Sequence, residues 1–261
     1  MKMPTVEIST TGRTRIVTIN RPERRNSVDG PTAALLVDAF RDFDQDDAVD
    51  VAVLTGAMGN FCAGADLKSI AEGHGNRISE VGDGPMGPSR LRLSKPVIAA
   101  IEGYAVAGGL ELAVWCDLRV AGEQSVLGVF CRRFGVPLVD LGTIRLPRLI
   151  GHSRAMDLIL TGRGVGAAEA LAMGLVNRVV TDGHALNASI ELAAALSAFP
   201  QTCLRHDRAS AMEQWELFES DAVVNEVRHG LEVIRCDETR KGAAAFVAGA
   251  GRHGASTAGE N

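Results

Sequence analysis

The chain has 261 residues, of which 46% are hydrophobic and 23% charged, enough apolar mass for a proper core and ordinary for a globular protein. A formal net charge of -5 argues against an electrostatic nucleic-acid binder, and no basic block or bilayer-length apolar run points to a membrane. Five widely spaced cysteines without a CxxC pair (Cys62, Cys116, Cys131, Cys203, Cys236), and an opening "MKMPTVEIST" with no apolar centre, predict free thiols in a reducing, cytoplasmic setting.

Taken from the N-terminus, "RTRIVTINRP" alternates and is rich in β-branched residues, which predicts a strand closed by Pro22. Asp29 or Gly30 ahead of Pro31 predicts a helix start, and "TAALLVDAFRDFDQD" carries apolar residues at helical spacing. "VDVAVLTG" is a short apolar run ending in Gly56 and predicts a buried strand; "ADLKSIAEG" follows as a short helix. Residues 73–89 are Gly/Pro-rich without a period and predict a surface loop. The pattern then returns as strand "PVIAAIEG", small-residue turn "YAVAGG", helix "LELAVW" and strand "DLRVAG". "SRAMDLILTG" is predicted helical with Ser153 as its cap, "AAEALAMG" is a helix ending at Gly174, and "LVNRVV" is a strand. "GRGVG" (162–166) lies between two predicted helices and is read as a turn. From about Gly183 the chain reads as almost continuous helix, and the small polar tail "GRHGASTAGEN" as frayed. The organisation is thus a core over residues 1–182 and a helical region over 183–261.

Alternating short strands and helices followed by a run of helices predict an α/β core with a helical C-terminal part. A doubly wound nucleotide-binding sheet is the first architecture this suggests, but no GxGxxG follows a strand and there is no Walker sequence. Two turns instead draw the eye. "FCAGAD" and "AVAGGLE" both leave a buried strand and enter a helix through Ala and Gly. Small residues let a ligand reach the main chain, and N–H groups at a helix start point outward without partners. One N–H from each turn could hold a carbonyl oxygen as it becomes negative; close helix-to-sheet packing is the alternative use of such residues.

"NRPERRNSV", "VAVLTGAMGNFCAGADL", "KPVIAAIEGYAVAGGLELAVWCDLRVA" and "LILTGRGVGAAEALAMGLVNRVV" resemble the enoyl-CoA hydratase/isomerase (crotonase) family from the first strand to about residue 180, with a looser echo at "TRKGAAAF". The resemblance implies a spiral of repeated ββα units, C-terminal helices that cap the site, and trimers often paired into hexamers. It implies an acyl-CoA thioester as substrate, with no cofactor beyond the coenzyme A it carries. The thioester oxygen would be held by the backbone N–H groups of Ala65 and Gly108. Coenzyme A would be met by Arg24, Arg25 and Lys68, with Ala63, Asp66 and Leu67 around the first turn. No metal site is expected, because the six histidines lack ligand spacing.

Glu111 falls in the first turn of the helix after Gly108, where it either complements the helix dipole or serves as the acid/base next to the acyl carbons. The second glutamate of the family's hydratases is missing: alignment on Gly128 and Gly142-Thr143 puts Cys131 there. A thiol is a poor substitute for a carboxylate in delivering water, and buried packing is the better reading of Cys131. Asp140 occupies a place where some family members carry a catalytic aspartate. The other reading is an ion pair with Arg132, Arg133 or Arg145, since an acid in an apolar stretch is costly to bury alone. The expected site is therefore Glu111 with Asp140 beneath an oxyanion hole from Ala65 and Gly108. Addition of water to a 2-enoyl-CoA leads, a double-bond shift comes next, and a non-catalytic acyl-CoA-binding protein is the rival from another class. The acyl pocket is expected to be shaped by residues 72–90, the C-terminal helices, Phe130 and Phe134.

Overall fold

In the computed structural model, which describes residues 4–251, residues 4–50 form a hairpin and a helix. Strand β1 (Val6–Thr11) pairs antiparallel with β2 (Thr14–Ile19). The sequence pattern reveals only β2, because Val6 is the single buried residue of β1 and an edge strand in water has no alternation to read. Helix α1 (Gly30–Gln45) starts where expected. The Asp29 carboxylate accepts the Thr32 N–H at 3.0 Å, Pro31 sits in the first turn, and Leu36, Val37, Phe40 and Phe43 form the buried stripe.

There follow β3 (Val51–Gly56), α2 (Leu67–Ala71), β4 (Val97–Ile101), β5 (Tyr104–Val106), α3 (Gly108–Trp115), β6 (Leu118–Gly122) and β7 (Val126–Gly128). Next come α4 (Gly142–Ile150), α5 (His152–Thr161), β8 (Gly164–Gly166), α6 (Ala167–Met173) and β9 (Arg178–Val180). The main sheet runs β1-β2-β3-β4-β6-β9, parallel throughout except for the first pair. Its parallel strands lie side by side in chain order. A doubly wound sheet needs a reversal of that order, and none occurs here.

A second small sheet, β5-β7-β8, is extended by a parallel bridge between Cys62 and Ala105. Each pass of the chain therefore lays one strand in the main sheet, one short rung in the second, and one helix. The passes are β3, the Cys62 bridge and α2; β4, β5 and α3; then β6, β7 and α4. This is the ββα spiral. The turns "YAVAGG" and "GRGVG" contain the rungs β5 and β8, each too short for a pattern to show. Helix α4 also escaped prediction, since it carries Pro147 internally and begins after Leu141 in a left-handed conformation. Ser153 lies inside the first turn of α5; the residue at the cap position is Gly151, at φ 80°.

Both faces of the main sheet are buried, by alternating residues. Val17, Ala52, Leu54, Ala99 and Ile101 face the larger core with α1 and α3. Val51, Val53, Ile98, Ala100 and Val120 face α7 (Ala185–Ser197) through Ala185, Leu192 and Ala193. The remaining helices are α8 (Gln201–Glu213), α9 (Glu219–Arg235) and α10 (Glu238–Val247). Arg205 of α8 pairs with Asp50 at 2.9 Å and Arg208 with Asp117 at 2.8 Å. Those acids precede β3 and β6, so α8 is anchored where the strands begin. Most of the tail expected to fray, from residue 252 onward, lies outside the described residues. Among the described residues no helix is long and apolar enough to cross a membrane.

Candidate functional site

The two small turns meet. Gly64, at φ 97°, follows β3, and Ala107-Gly108 follow β5; a Cβ on Gly64 would lie 2.9 Å from both the Gly108 nitrogen and the Ala107 Cβ. A Cβ on Gly109 would lie 2.1 Å from the Cys62 carbonyl oxygen. Close helix packing and an open main chain are thus two results of one arrangement. The first turn is stitched down by the Cys62 N–H to Tyr104 O (2.9 Å), the Ala63 N–H to Arg25 O (3.0 Å) and the Asp66 N–H to Val28 O (3.0 Å). Among the described residues, no acceptor meets the N–H of Ala65 or of Gly108, and both residues wall the same cavity. Gly108 opens α3, whose first N–H groups have no acceptor within the helix. Ahead of it Ala107 holds φ 55° and ψ -127°, a strained conformation for a residue with a Cβ.

Two residues that sequence reading passed over hold this corner. Buried Arg21 donates to Asp66 at 3.0 Å and to the Ser27 carbonyl at 2.6 Å, and pairs with Asp29 at 2.8 Å. Asn26 donates to the carbonyls of Ala57 (2.8 Å) and Asn60 (2.6 Å) and accepts the Arg21 N–H (2.9 Å). Both belong to "NRPERRN", where only Arg24 and Arg25 had been singled out as cations. Arg21→Ala would leave Asp29 and Asp66 without their cation. It is expected to cost about 3 to 5 kcal/mol in a urea titration.

Of the residues expected around coenzyme A, Ala63 and Leu67 line the cavity. Arg24, Arg25 and Lys68 are exposed, with Lys68 4.0 Å from Glu72. Asp66 is occupied otherwise: one oxygen meets Arg21, while the other caps α2 through the N–H groups of Lys68 (3.1 Å) and Ser69 (3.4 Å).

The cavity holds about 370 Å³. Its walls are mostly apolar, with Phe130, Phe134 and, from the long loop, Gly75, Asn76, Ile78, Pro85 and Met86 contributing as expected. The C-terminal helices do not: within one chain, no residue beyond Asp140 reaches it among the described residues. The reason is geometric. The site lies at the ends of β3 and β5, whereas α8 is fastened at the opposite, starting ends of the strands.

Glu111, Asp140 and Cys131 all line the cavity. Glu111 Oε1 accepts the N–H groups of Asp140 and Gly142, each at 2.9 Å. Leu141, at φ 69°, lies between these residues and turns both N–H groups toward that oxygen. Burial, and next the charge of Asp140, push the Glu111 pKa up to about 7 against those two bonds. Asp140 Oδ1 accepts the Met86 N–H at 2.9 Å and the Ser89 hydroxyl. Burial raises its pKa also, and the Ser89 and Met86 donors oppose the rise.

The ion pair considered for Asp140 is not formed. Arg132 donates to the Ile159 carbonyl (3.1 Å), Arg133 to that of Gly162 (2.8 Å), and Arg145 to the Asp140 backbone carbonyl (3.3 Å). Burial, then the Glu111 charge, raises the Cys131 thiol pKa, so the sulfur stays protonated at neutral pH. Among the described residues no group of three or more His, Cys, Asp or Glu could hold a metal ion. Chemically, the site offers two main-chain donors for an oxygen that gains charge and a pair of buried carboxyl groups for moving protons.

The chain is similar to known proteins over nearly its whole length. Residues 12–250 match the family described as enoyl-CoA hydratase/isomerase. Enoyl-CoA hydratase EchA19 of Mycobacterium tuberculosis is 38% identical over 250 residues, which cover 93% of each chain. A probable enoyl-CoA hydratase of Rhizobium meliloti is 34% identical, with 95% of this chain and 96% of that relative covered. The crystal structure of enoyl-CoA hydratase EchA1 from Mycobacterium marinum superposes with a TM-score of 0.88 at 35% identity, covering 94% of this chain and 96% of that one. The spiral described above is accordingly the crotonase-like fold, and the chain belongs to the enoyl-CoA hydratase/isomerase family.

Proposed function

We propose that this protein is a hydratase-type lyase that adds water to a 2-enoyl-CoA. The observation that carries the reading is the pair of N–H groups, Ala65 and Gly108, that no acceptor meets among the described residues, on a cavity that also holds two buried carboxyl groups. The thioester oxygen accepts both N–H bonds as negative charge moves onto it from the double bond. Each such donor lowers the barrier by about 3 to 4 kcal/mol. Asp140, ionised, takes a proton from the water that attacks the β-carbon. Glu111, with a pKa near 7, is partly protonated at neutral pH and gives its proton to the α-carbon. Solvent then returns a proton to Glu111 and removes one from Asp140. Proton transfer and oxyanion stabilisation account for the whole reaction, so coenzyme A enters only as part of the substrate.

Cys131 favours one second reading, a double-bond isomerase. A protonated thiol cannot replace the missing carboxylate, and moving a proton between the α- and γ-carbons requires no water. Exposed Arg24, Arg25 and Lys68 near the first turn suit the phosphates of coenzyme A, with Ala63 and Leu67 along its arm. Exposed apolar residues on α9 (Val223, Val224, Val227, Ile234) support assembly into a homotrimer or a pair of trimers. The unpaired cysteines suit a cytoplasmic enzyme.

Proton NMR with 2-enoyl- and 3-enoyl-CoA thioesters in deuterated water tests the reaction. A 3-hydroxyacyl product is the expected result. Migration of the double bond without hydration would replace the hydratase by the isomerase. Saturable binding of thioesters across acyl-chain lengths, with no turnover, would leave a binding protein.

A further inference from the structure

We propose that Ser89 is a positioning residue for the acid/base pair: together with the Met86 N–H, its hydroxyl fixes the Asp140 carboxylate and ties it to the loop that walls the acyl pocket. The inference rests on Asp140 being a catalytic carboxylate. Ser89 is fully buried, at 0% exposure, although it closes a segment whose composition reads as a surface loop. Its hydroxyl and the Met86 N–H both donate to Oδ1 of Asp140, 51 and 54 residues further along the chain. With Oδ1 taken, proton transfer at this residue falls to Oδ2.

The contact is built from several sides. A Cβ on Gly84 would lie 1.9 Å from Ser89 Oγ and 2.6 Å from Asp140 Oδ1, so glycine alone leaves room for the bond. Arg90, next to Ser89, donates to the Val139 carbonyl at 3.3 Å and locks the same two segments together. The Asp140 N–H in turn donates to Glu111 at 2.9 Å. The loop, Asp140 and Glu111 thus form one hydrogen-bonded line along the cavity. The charged groups facing Asp140 are Glu111 from α3, Arg145 from α4 and Arg90 from the loop. Both arginine head groups bond to backbone carbonyls, which leaves Ser89 as the side-chain donor that selects the ionised form of Asp140.

The test compares pH profiles of kcat and kcat/KM for wild type, Ser89→Ala, Gly84→Ala, Asp140→Asn and the Ser89→Ala/Asp140→Asn double variant, with a 2-enoyl-CoA and folding checked by thermal melting. Removing the hydroxyl disfavours the Asp140 anion. Ser89→Ala is expected to lower kcat about tenfold and move the acid limb of the profile up by about one pH unit, with KM within about twofold. Gly84→Ala displaces the hydroxyl from the other side and is expected to move the limb the same way. The double variant is expected to be no slower than Asp140→Asn. A uniform drop with the limb unmoved, or a double variant slower than Asp140→Asn, overturns the proposal. Full activity in Asp140→Asn would sink the catalytic reading of Asp140 and this inference with it. An inactive Asp140→Asn beside a silent Ser89→Ala would sink this inference alone.

Discussion

Glu111→Gln is expected to lower kcat by about 10² to 10⁴-fold and, at the same time, to make the protein more stable above neutral pH. The two effects share a cause. Glu111 has a pKa of about 7 in the folded chain against an ordinary value of 4.5. Between those values the native state binds more protons than the unfolded state, so stability falls as pH rises through the window. The loss is complete above about pH 7 and amounts to roughly 3 kcal/mol. Glutamine has no charge to desolvate, and its carbonyl oxygen can still accept the N–H groups of Asp140 and Gly142. Melting at pH 8 should therefore rise by roughly 5 to 10 °C in the variant, while at pH 4.5 the two proteins melt together. A variant that melts lower than wild type at pH 8 would mean that burial is not what raises this pKa.

Gly64→Ala is expected to have the second large effect, a fall of about 10³ in kcat/KM. The new methyl would sit 2.9 Å from the Gly108 nitrogen, in the gap where the two turns meet. It also forces an alanine into φ 97°, which costs about 1 to 3 kcal/mol of stability. Gly59→Ala separates the two contributions. Gly59 has φ 76°, and a Cβ there meets nothing within 4 Å. That variant should lose comparable stability and keep its kcat. Equal losses of activity in both would show that strain, and not occlusion of the Gly108 N–H, accounts for the effect.

Local pattern was legible where the local segment makes its own case. α1 announces itself through Asp29, Pro31 and an apolar stripe, and β3 and β4 through runs buried on both faces. β1 stayed hidden because five of its six residues face water. β5 and β8 stayed hidden because a rung of three residues has no period. The proline within α4 concealed it for a different reason, since a lone proline is ordinarily a sign that a helix ends.

The candidate site divides in the same way. The small residues of "CAGAD" and "AVAGGLE", with Glu111 and Asp140, stand out because each is unusual for its neighbourhood: a turn without side chains, or an acid in an apolar run. Arg21, Asn26 and Ser89 are not unusual where they stand. Arg21 and Asn26 also bond to near neighbours, but the contacts that fix the site reach 45 residues away for Arg21, 34 for Asn26 and 51 for Ser89, and no window of sequence contains those. By itself the sequence determined the helix starts, the apolar strands and the small-residue turns, because these depend on chemistry within a few residues. Only the tertiary structure decided that the two turns share one cavity, that Asp140 bonds to Ser89 and Met86 rather than to an arginine, and that the Glu111 pKa is raised to about 7. Those outcomes depend on burial and on contacts between distant segments, and desolvation exists only once the segments have packed.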